Sequence, residues 1–263
     1  MQAAPSSRRS RSKRLQGLRI INKLKKLIRR IKRPARKSVN YNVRLTSSIS
    51  NSLNWQLKPI PPSLIQQITA ASELATLDYQ GDNEIIVNNN QPTFTTADLA
   101  TTNGPWQTFS NLDQLNRAGT ANALLNKSMM PTAKREGLTW NPTGWRNKRV
   151  KSGWLYNRSH LIGYQLTGEN NNPKNLITGT RQLNAPEMLA HESDIAAYLK
   201  KHPSSDVRYR VTPIFRGNEL LARGVQMEGQ SIGDNSIQFN TYIFNVADGV
   251  TLNYADGSSK TAE

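Results

Sequence analysis

Residues 156–163 read YNRSHLIG, and this short stretch carries Arg158 and His160 two residues apart. A histidine beside an arginine is a weak signal alone, because most such histidines are structural or exposed. Here a second feature follows: Asn175 comes fifteen residues after His160, within the stretch NPKNLI. An arginine, a histidine and an amide at defined spacing indicate a site rather than an isolated histidine.

The stretch then continues into a predicted helix with one amide and one acid. Asn184 is followed eight residues later by Glu192. Eight residues are about two turns of an α-helix, so the two side chains are predicted to share a face. Glu187 lies closer to Asn184 and is the alternative acid. We prefer Glu192 because two full turns restore the same face.

These residue types fit the hydrolysis of a phosphodiester bond. The reaction needs a base for water, a cation for the developing charge and a donor for the non-bridging oxygens. His160 suits the base because its ordinary pKa lies near neutrality. Arg158 offers a planar fork for phosphate, and the amide oxygen of Asn184 suits Mg²⁺. So few carboxylates favour one metal ion over a two-metal mechanism.

Charge is concentrated in two places. The chain has 263 residues and a formal net charge of +17, but residues 1–44 hold 16 basic residues and no acid. The remaining 219 residues hold 19 basic and 18 acidic residues, and within them residues 134–181 hold nine basic and two acidic. A local positive region on a near-neutral body is where a polyanionic substrate would bind.

The candidate phosphate contacts are therefore basic residues in or near this region. We predict substrate binding by Arg135, Lys174, Arg181, Arg208 and Arg210. Weaker candidates are Lys134, Arg146, Lys148, Arg149 and Lys151. Arg208 and Arg210 lie two apart, hence on the same face of a strand, where they bind substrate or pair with Glu192 or Asp206.

Other aromatic and histidine residues are interpreted as structural. Trp140, Trp145 and Trp154 could stack on bases, but packing is the preferred interpretation. His191 and His202 lack partners at metal-ligand spacing and are predicted to be surface residues.

The segment resembles the DNA/RNA non-specific endonucleases of the ββα-metal (His-Me finger) group, and most of all the DNA-entry and secreted streptococcal-type DNases. The family motif is Asp-Arg-Gly-His, where this chain reads Asn157-Arg158-Ser159-His160. The similarity extends to NPKNLI (residues 172–177) and QLN (residues 182–184), and covers roughly residues 63–254.

The resemblance implies a role for each matching position. It implies that His160 is the general base and that Asn184 is the only direct protein ligand of Mg²⁺, which Mn²⁺ could replace. It implies that Glu192 holds metal-bound water and that Asn175 supports the histidine and its loop. Arg158 resembles a phosphate-binding arginine, and a structural ion pair is its alternative role.

Two positions depart from the motif. Asn157 replaces an aspartate, which removes a negative charge near His160 and leaves the pKa of the imidazole lower than a carboxylate neighbour would. Ser159 replaces a glycine and adds a side chain to a predicted turn. Both changes bear on rate and pH optimum more than on whether the site exists.

The expected fold class is α+β, a ββα-metal nuclease with a central antiparallel sheet flanked by helices. A hairpin carrying His160 and Asn175 should precede a helix that begins around Asn184. Strands are predicted over residues 84–87, 207–215, 220–228 and 236–245, and helices over residues 63–77 and 185–201. Residues 113–125 give mixed signals and are interpreted as helix or loop.

Residues 1–62 are predicted to be a partly disordered basic arm and linker, and residues 63–263 an endonuclease domain. Apolar residues three and four apart predict a basic amphipathic helix between Leu15 and Pro34. Such an arm would bind an anionic membrane, the cell envelope or nucleic acid, or would merely flank the domain as a solvated helix.

Composition excludes several classes of protein. The chain has no cysteine, so it has no disulfide framework, thiolate zinc site or cysteine nucleophile. The sequence contains no run of about 18 apolar residues, so no membrane-spanning helix is predicted, and no signal peptide is visible. The resemblance points to secreted or cell-surface enzymes, whereas neither a signal peptide nor a membrane-spanning helix is visible, so localisation is left open.

The resulting prediction is a Mg²⁺-dependent, sequence-non-specific endonuclease that cuts DNA to 5′-phosphate ends, with RNA left open as a second substrate. No protein partner is indicated. One alternative is a weak or inactive nuclease-like protein that binds nucleic acid or the cell surface. The other is a toxin or effector nuclease with an immunity partner.

Overall fold

The structure, a computed structural model, describes residues 71–261. In chain order the elements are α1 (Ala71–Leu74), β1 (Glu84–Ile86), β2 (Trp106–Phe109), β3 (Ala121–Asn126), β4 (Arg149–Val150), β5 (Gly153–Trp154), β6 (Tyr156–His160), α2 (Tyr164–Thr167), β7 (Leu176–Thr180), α3 (Leu189–Lys201), β8 (Asp206–Ile214), β9 (Gly224–Ser231), β10 (Gln238–Phe244), β11 (Val250–Leu252) and β12 (Ser259–Thr261). The predicted arm and linker over residues 1–62, and most of the predicted helix over residues 63–77, lie outside the described residues.

A six-stranded antiparallel sheet forms the centre of the fold, with strand order β1-β10-β9-β8-β3-β2. Strands β8 and β9 pair from Val207 opposite Ser231 to Ile214 opposite Gly224. The predicted α+β class with a central antiparallel sheet is confirmed, and strands β8 to β10 match three of the predicted strands within a few residues.

One face of this sheet packs against the longest helix. Side chains alternate between the two faces of a strand, so Val207, Tyr209 and Val211 of β8 share a face. They are fully buried in a cluster with Ile195 and Leu199 of α3. Burying each of the valine, isoleucine and leucine side chains in this set stabilises the fold by about 1.5–3 kcal/mol. Their contacts hold α3 against the sheet.

The predicted hairpin is the pair β6 and β7, with Tyr156 opposite Thr180 and His160 opposite Leu176. The predicted helix start around Asn184 corresponds to a kinked π-helical segment, Leu183–Met188, that leads directly into α3. Ala185 is extended (φ −153°, ψ 117°) and the regular helix α3 begins at Leu189. The residue before a proline is disfavoured in the α conformation, and Pro186 therefore explains the break.

The region interpreted as helix or loop, residues 113–125, contains most of a strand instead. β3 (ANALLN) lies between β2 and β8 in the large sheet, and four of its six residues are buried. Alanine and asparagine favour strands weakly, so its conformation is set by the neighbouring strands rather than by local preference.

Within residues 71–261, the helices are all too short or too polar to cross a membrane.

Candidate active-site cleft

A cleft of about 950 Å³ opens beside the β6–β7 hairpin. Its walls come from the loop before β4, from strands β5 and β6, from the start of α2, and from the segment that leads into α3. The cleft brings together six residues that the sequence singled out: Arg135, Asn157, Arg158, His160, Asn184 and Glu192.

His160 ends β6 and is 7% exposed at the cleft wall. Its Nε2 lies 2.6 Å from the carbonyl oxygen of Asn170. A carbonyl oxygen only accepts, so Nε2 carries the hydrogen and Nδ1 carries the lone pair of the neutral ring. Burial lowers the pKa of His160 to about 4, with a smaller contribution from Arg135. The imidazole is therefore neutral near pH 7 and able to take a proton at Nδ1.

Arg135 is the side chain that meets this lone pair. Its Nη2 donates to His160 Nδ1 at 3.3 Å, and its guanidinium lies 5.8 Å from the ring centre of Tyr164. Arg135 is exposed on a loop, unlike His160. An exposed cation next to the base is well placed to donate to a phosphate that enters the cleft.

Asn175 holds the chain just after His160. It is fully buried, its Oδ1 accepts from the backbone N–H of Ile162 at 2.9 Å, and its Nδ2 donates to the carbonyl of the same residue at 3.0 Å. The backbone carbonyl of Asn175 also accepts from Leu161. The structure thus places Asn175 behind the cleft, where its side chain fixes the turn that follows the histidine.

Glu192 is buried at the end of the cleft and accepts the backbone N–H of Gly163 at 2.8 Å. A Cβ on Gly163 would overlap the Glu192 carboxylate, so this close approach requires glycine. Burial raises the pKa of Glu192 to about 8. The alternative acid, Glu187, accepts from Asn83 at 3.3 Å and does not line the cleft.

The residues present fit a hard divalent cation. Asn184, on the kinked segment, and Glu192 bring an amide oxygen and a carboxylate to one cleft. The two regular helical turns predicted between Asn184 and Glu192 are absent, because the helix is kinked at Ala185. Among residues 71–261 no group of three His, Cys, Asp or Glu side chains could cage a metal. Mg²⁺ keeps most of its waters and needs few protein ligands, so this donor set suits it.

Arg158 is held by the loop that covers it. Its Nε donates to the carbonyl of Trp140 at 2.8 Å, its Nη2 donates to Asn141 Oδ1 at 2.6 Å, and its guanidinium lies 4.6 Å from the ring centre of Trp145. The arginine therefore fixes the loop through neutral acceptors, while its charge stays at the cleft wall.

Two of the predicted phosphate contacts lie outside the cleft lining. Lys174 Nζ donates to Asn111 Oδ1 at 2.8 Å, and Arg181 is exposed. Their role in binding substrate stays a prediction.

Arg208 and Arg210 lie outside the cleft lining, and their partners differ from the acids that the sequence analysis named. Arg208 is 2% exposed, and its guanidinium lies between the rings of Phe94 and Trp106, 4.7 and 4.9 Å from their centres. Arg210 forms an ion pair with Glu228 at 2.7 Å. Both project from the sheet face opposite Tyr209, away from α3, and neither pairs with the predicted acids. Their contacts stabilise that side of the sheet, and a role in binding substrate stays a prediction.

Ser159 lies within β6 rather than in a turn. It is fully buried, and a Cβ on Gly179, two residues from its cross-strand partner Ile177, would overlap the serine side chain. The side chain that replaces the motif's glycine is therefore accommodated by a glycine on the partner strand.

Several expectations for aromatic and histidine residues were wrong. Trp140 and Trp154 are 40% and 49% exposed rather than packed, whereas Trp145 does pack against the cluster of Leu155, Tyr156 and Leu221. His191 is not a surface residue: it pairs with Glu84 at 2.9 Å and lies against Phe239. His202 stacks on Tyr198.

Gly163 and Tyr164 are cleft residues that the sequence did not reveal. A glycine three residues after His160 was the available signal, because a close backbone approach often requires glycine.

The ββα-metal nucleases have a hairpin whose first strand ends in a buried histidine, followed by a helix that supplies an acid. Strands β6 and β7 and helix α3 have this arrangement. The sequence model for DNA/RNA non-specific endonucleases matches residues 99–233, just over half of the chain and all of the cleft residues named above. The chain belongs to the DNA/RNA non-specific endonuclease family.

Relatives within this class are similar in sequence and in structure. A deoxyribonuclease of Streptococcus dysgalactiae subsp. equisimilis is 35% identical over 111 residues, which cover 41% of this chain and 33% of that protein. The match thus spans about a third of the length of this curated relative.

NucA from Streptococcus agalactiae superimposes on the chain in two solved structures. The magnesium-bound structure gives a TM-score of 0.63 at 26% identity and covers 72% of this chain and 91% of NucA. The structure without metal gives 0.62, also at 26% identity, and covers 70% and 90%. The Sda1 nuclease with a bound zinc ion gives 0.53 at 25% identity, covering 60% and 82%.

Proposed function

We propose that this chain is a divalent-metal-dependent endonuclease that hydrolyses DNA phosphodiester bonds without sequence specificity. The observation that carries the proposal is the geometry of His160: its Nε2–H is fixed by Asn170, its Nδ1 lone pair lies beside a cationic arginine, and its lowered pKa keeps the ring neutral near pH 7. That combination suits the deprotonation of water next to a phosphate.

Separate cleft residues accept the proton and bind the phosphate. His160 Nδ1 takes a proton from the attacking water while Nε2–H keeps its hydrogen bond to the carbonyl oxygen of Asn170. The water oxygen forms a bond to phosphorus, the bond to the 3′-oxygen breaks, a solvent water protonates the leaving 3′-oxygen, and 5′-phosphate and 3′-hydroxyl ends result. Arg135 donates to a non-bridging oxygen, which stabilises charge that grows in the transition state.

Asn184 would be the direct ligand of Mg²⁺, and Glu192 would orient the surrounding waters. When bound, the cation would offset negative charge on the phosphate and on the leaving oxygen. The magnesium in NucA and the zinc in Sda1 support a metal requirement without fixing which ion acts here. Comparing Mg²⁺, Mn²⁺ and Zn²⁺ in one assay would identify it.

Plasmid nicking tests the proposal. The wild-type protein should nick supercoiled plasmid with Mg²⁺ and stop in EDTA, and His160→Ala should lower the rate by about 10²–10⁴-fold. His202→Ala removes a histidine outside the cleft and should cleave like the wild type. No Mg²⁺-dependent nicking by the wild type would exclude the enzyme and favour a nuclease-like binding protein.

Two finer points are tested in the same reaction. DNA ligase reseals a nick only when it has a 5′-phosphate and a 3′-hydroxyl, so resealing without kinase would support the proposed products. Cleavage of single-stranded RNA under the same conditions, abolished by His160→Ala, would make RNA a second substrate. RNA cleavage that persists in the variant would point to contamination.

We also propose that the basic arm, residues 1–44, binds a polyanion. Its 16 basic residues would release counterions from nucleic acid, so affinity should fall steeply with salt. Removing residues 1–44 should reduce the slope of log affinity against log salt. An unchanged slope would show that the arm contacts no phosphate.

A further inference from the structure

Trp154 is an exposed aromatic residue on the wall of the cleft that contains His160. It is 49% exposed, although a tryptophan is one of the most favourable side chains to bury. An isolated exposed apolar side chain needs no explanation on a protein surface. Three further features distinguish this tryptophan: its stacked cation, its rigid support and its distance from the catalytic histidine.

A cation already covers part of the indole. Arg149 lies opposite Trp154 across the β4–β5 hairpin, and its guanidinium is 4.6 Å from the ring centre. This cation–π contact holds the ring in one orientation and places positive charge beside it. The part of the ring that stays exposed is thus a flat surface next to a cation, which is a combination that suits a nucleotide.

The hairpin that carries Trp154 is fixed at its base. The Asn147 side chain makes two hydrogen bonds to the backbone of Tyr156, at 2.9 and 3.0 Å. Lys148 donates through Nζ to the carbonyl of Ser259 at 2.7 Å, and its own carbonyl accepts from Leu155 at 3.0 Å. A ring on such a support loses little conformational freedom when a ligand stacks on it.

The distance to the reacting phosphate is short on the scale of a nucleic acid strand. Trp154 precedes His160 by six residues, so their Cα atoms are at most about 20 Å apart. Stacked nucleotides rise by about 3.4 Å along one strand, so Trp154 lies within about six nucleotides of the cut.

We propose that Trp154 stacks on an unpaired base of the substrate strand, so that the site favours single-stranded or locally unpaired nucleic acid. The inference rests on the proposed nuclease function and adds the form of the substrate. Bases inside a duplex already stack on both faces, so only an unpaired base offers a free face to the indole. Phosphate contacts, by contrast, are shared by both forms of the substrate. Trp154 would set specificity and take no part in the chemistry.

Binding without cleavage tests this role directly. Anisotropy of a labelled oligonucleotide, single-stranded or as the matched duplex, would be measured with the full chain in EDTA at elevated salt. Trp154→Ala should weaken single-strand binding by about tenfold or more and duplex binding by less than about twofold. Trp154→Phe keeps a ring and should retain most of the single-strand affinity. Trp140→Ala removes an exposed tryptophan whose side chain is outside the cleft and should change neither affinity.

Other outcomes would overturn the proposal. Equal losses on both ligands would mean that Trp154 supports the cleft, no loss would mean that it does not touch nucleic acid, and a loss with Trp154→Phe as large as with alanine would exclude stacking. A wild type that binds neither ligand would also overturn it. Because EDTA removes catalysis, a protein that fails to nick plasmid could still show the single-strand effect, so the two failures are distinguishable.

Discussion

Two pairs of arginines occupy opposite parts of the domain and have opposite environments. On the far face of the large sheet, Arg208 is enclosed by two aromatic rings and Arg210 is paired with Glu228. In the cleft, Arg135 and Arg158 bond to an imidazole nitrogen, a carbonyl and an amide, which are all neutral acceptors.

The comparison shows that the partner of an arginine, rather than its presence, indicates its role. A carboxylate cancels the charge of Arg210, so that side of the sheet has little attraction for an anion. Neutral acceptors leave the cleft charges uncancelled. Without a bound cation Glu192 cancels little of this charge, because burial raises its pKa to about 8, whereas a bound cation would favour its carboxylate form. The cleft therefore keeps a positive potential for phosphate.

The largest expected effect is on the far face. Arg208→Ala should lower the free energy of unfolding by about 3–5 kcal/mol, because it removes a buried, hydrogen-bonded cation and leaves its acceptors unpaired. Urea unfolding measures the change, and activity per folded molecule should be unaltered. Arg135→Ala, its counterpart in the cleft, should alter unfolding by less than about 1 kcal/mol. Equal destabilisation by the two variants would remove the distinction between the regions.

The next effect concerns the buried acid. The pKa of Glu192 is about 8 in the fold and 4.5 ordinarily, so the unfolded chain loses this proton at lower pH than the folded chain. Stability from this group is complete below pH 4.5 and is lost as pH rises towards 8. Glu192→Gln should therefore gain stability over the wild type across that window, reaching a few kcal/mol, in unfolding measured with EDTA.

Titration of His160 can be separated from that of Glu192 when the free energies of unfolding are compared, because the pKa of His160 is lowered to about 4. Its contribution works in the opposite direction, since stability rises with pH between about 4 and 6.5. His160 is present in both proteins, so it cancels in their difference. A difference between Glu192→Gln and the wild type that stays flat with pH would mean that the carboxyl ionises normally.

A smaller effect is expected from the exposed cleft cation. Arg135→Ala should lower kcat/KM on plasmid DNA by about ten- to a hundredfold, the value of one charge-assisted contact to the reacting phosphate. Lys134→Ala removes the neighbouring cation, which is outside the cleft lining, and should stay within about threefold of the wild type. Similar losses in both variants would mean that general positive charge, rather than a contact between Arg135 and the reacting phosphate, determines kcat/KM.

The sequence predicted the large sheet well where side chains alternate. Val207, Tyr209 and Val211 mark one face of β8, and the strand was predicted within a residue or two. It failed at β3, where alanine and asparagine carry no strand preference and long-range pairing decides. It also failed at Pro186, where the sequence predicts an unbroken helix over residues 185–201 although a proline disfavours the helical conformation at the residue before it.

For the site, one contiguous segment contained most of the information. His160, Asn175, Asn184 and Glu192 all fall within 33 residues, and the resemblance assigned them together. Alternation correctly put Arg208 and Arg210 on one face, but nothing local indicates which face of a central strand is turned towards the cleft. That depends on how α3 packs, which is a property of the whole fold.

The smallest predicted effect concerns the departure from the family motif at Asn157. Asn157 lines the same cleft as His160, and burial already lowers the pKa of the imidazole to about 4. Asn157→Asp adds a carboxylate to that wall, which favours the imidazolium and should raise this pKa by up to about one unit. The acidic limb of the kcat/KM profile should move to higher pH by the same amount, with little change near pH 7.

The control for this shift is Asn235→Asp, which adds the same charge on a remote turn between β9 and β10. Its acidic limb should coincide with that of the wild type. If both variants move the limb equally, net charge and not the local carboxylate is responsible. If Asn157→Asp leaves the acidic limb unmoved, burial alone sets the pKa of His160. The residue at position 157 then has no influence on the pH range in which the histidine accepts a proton.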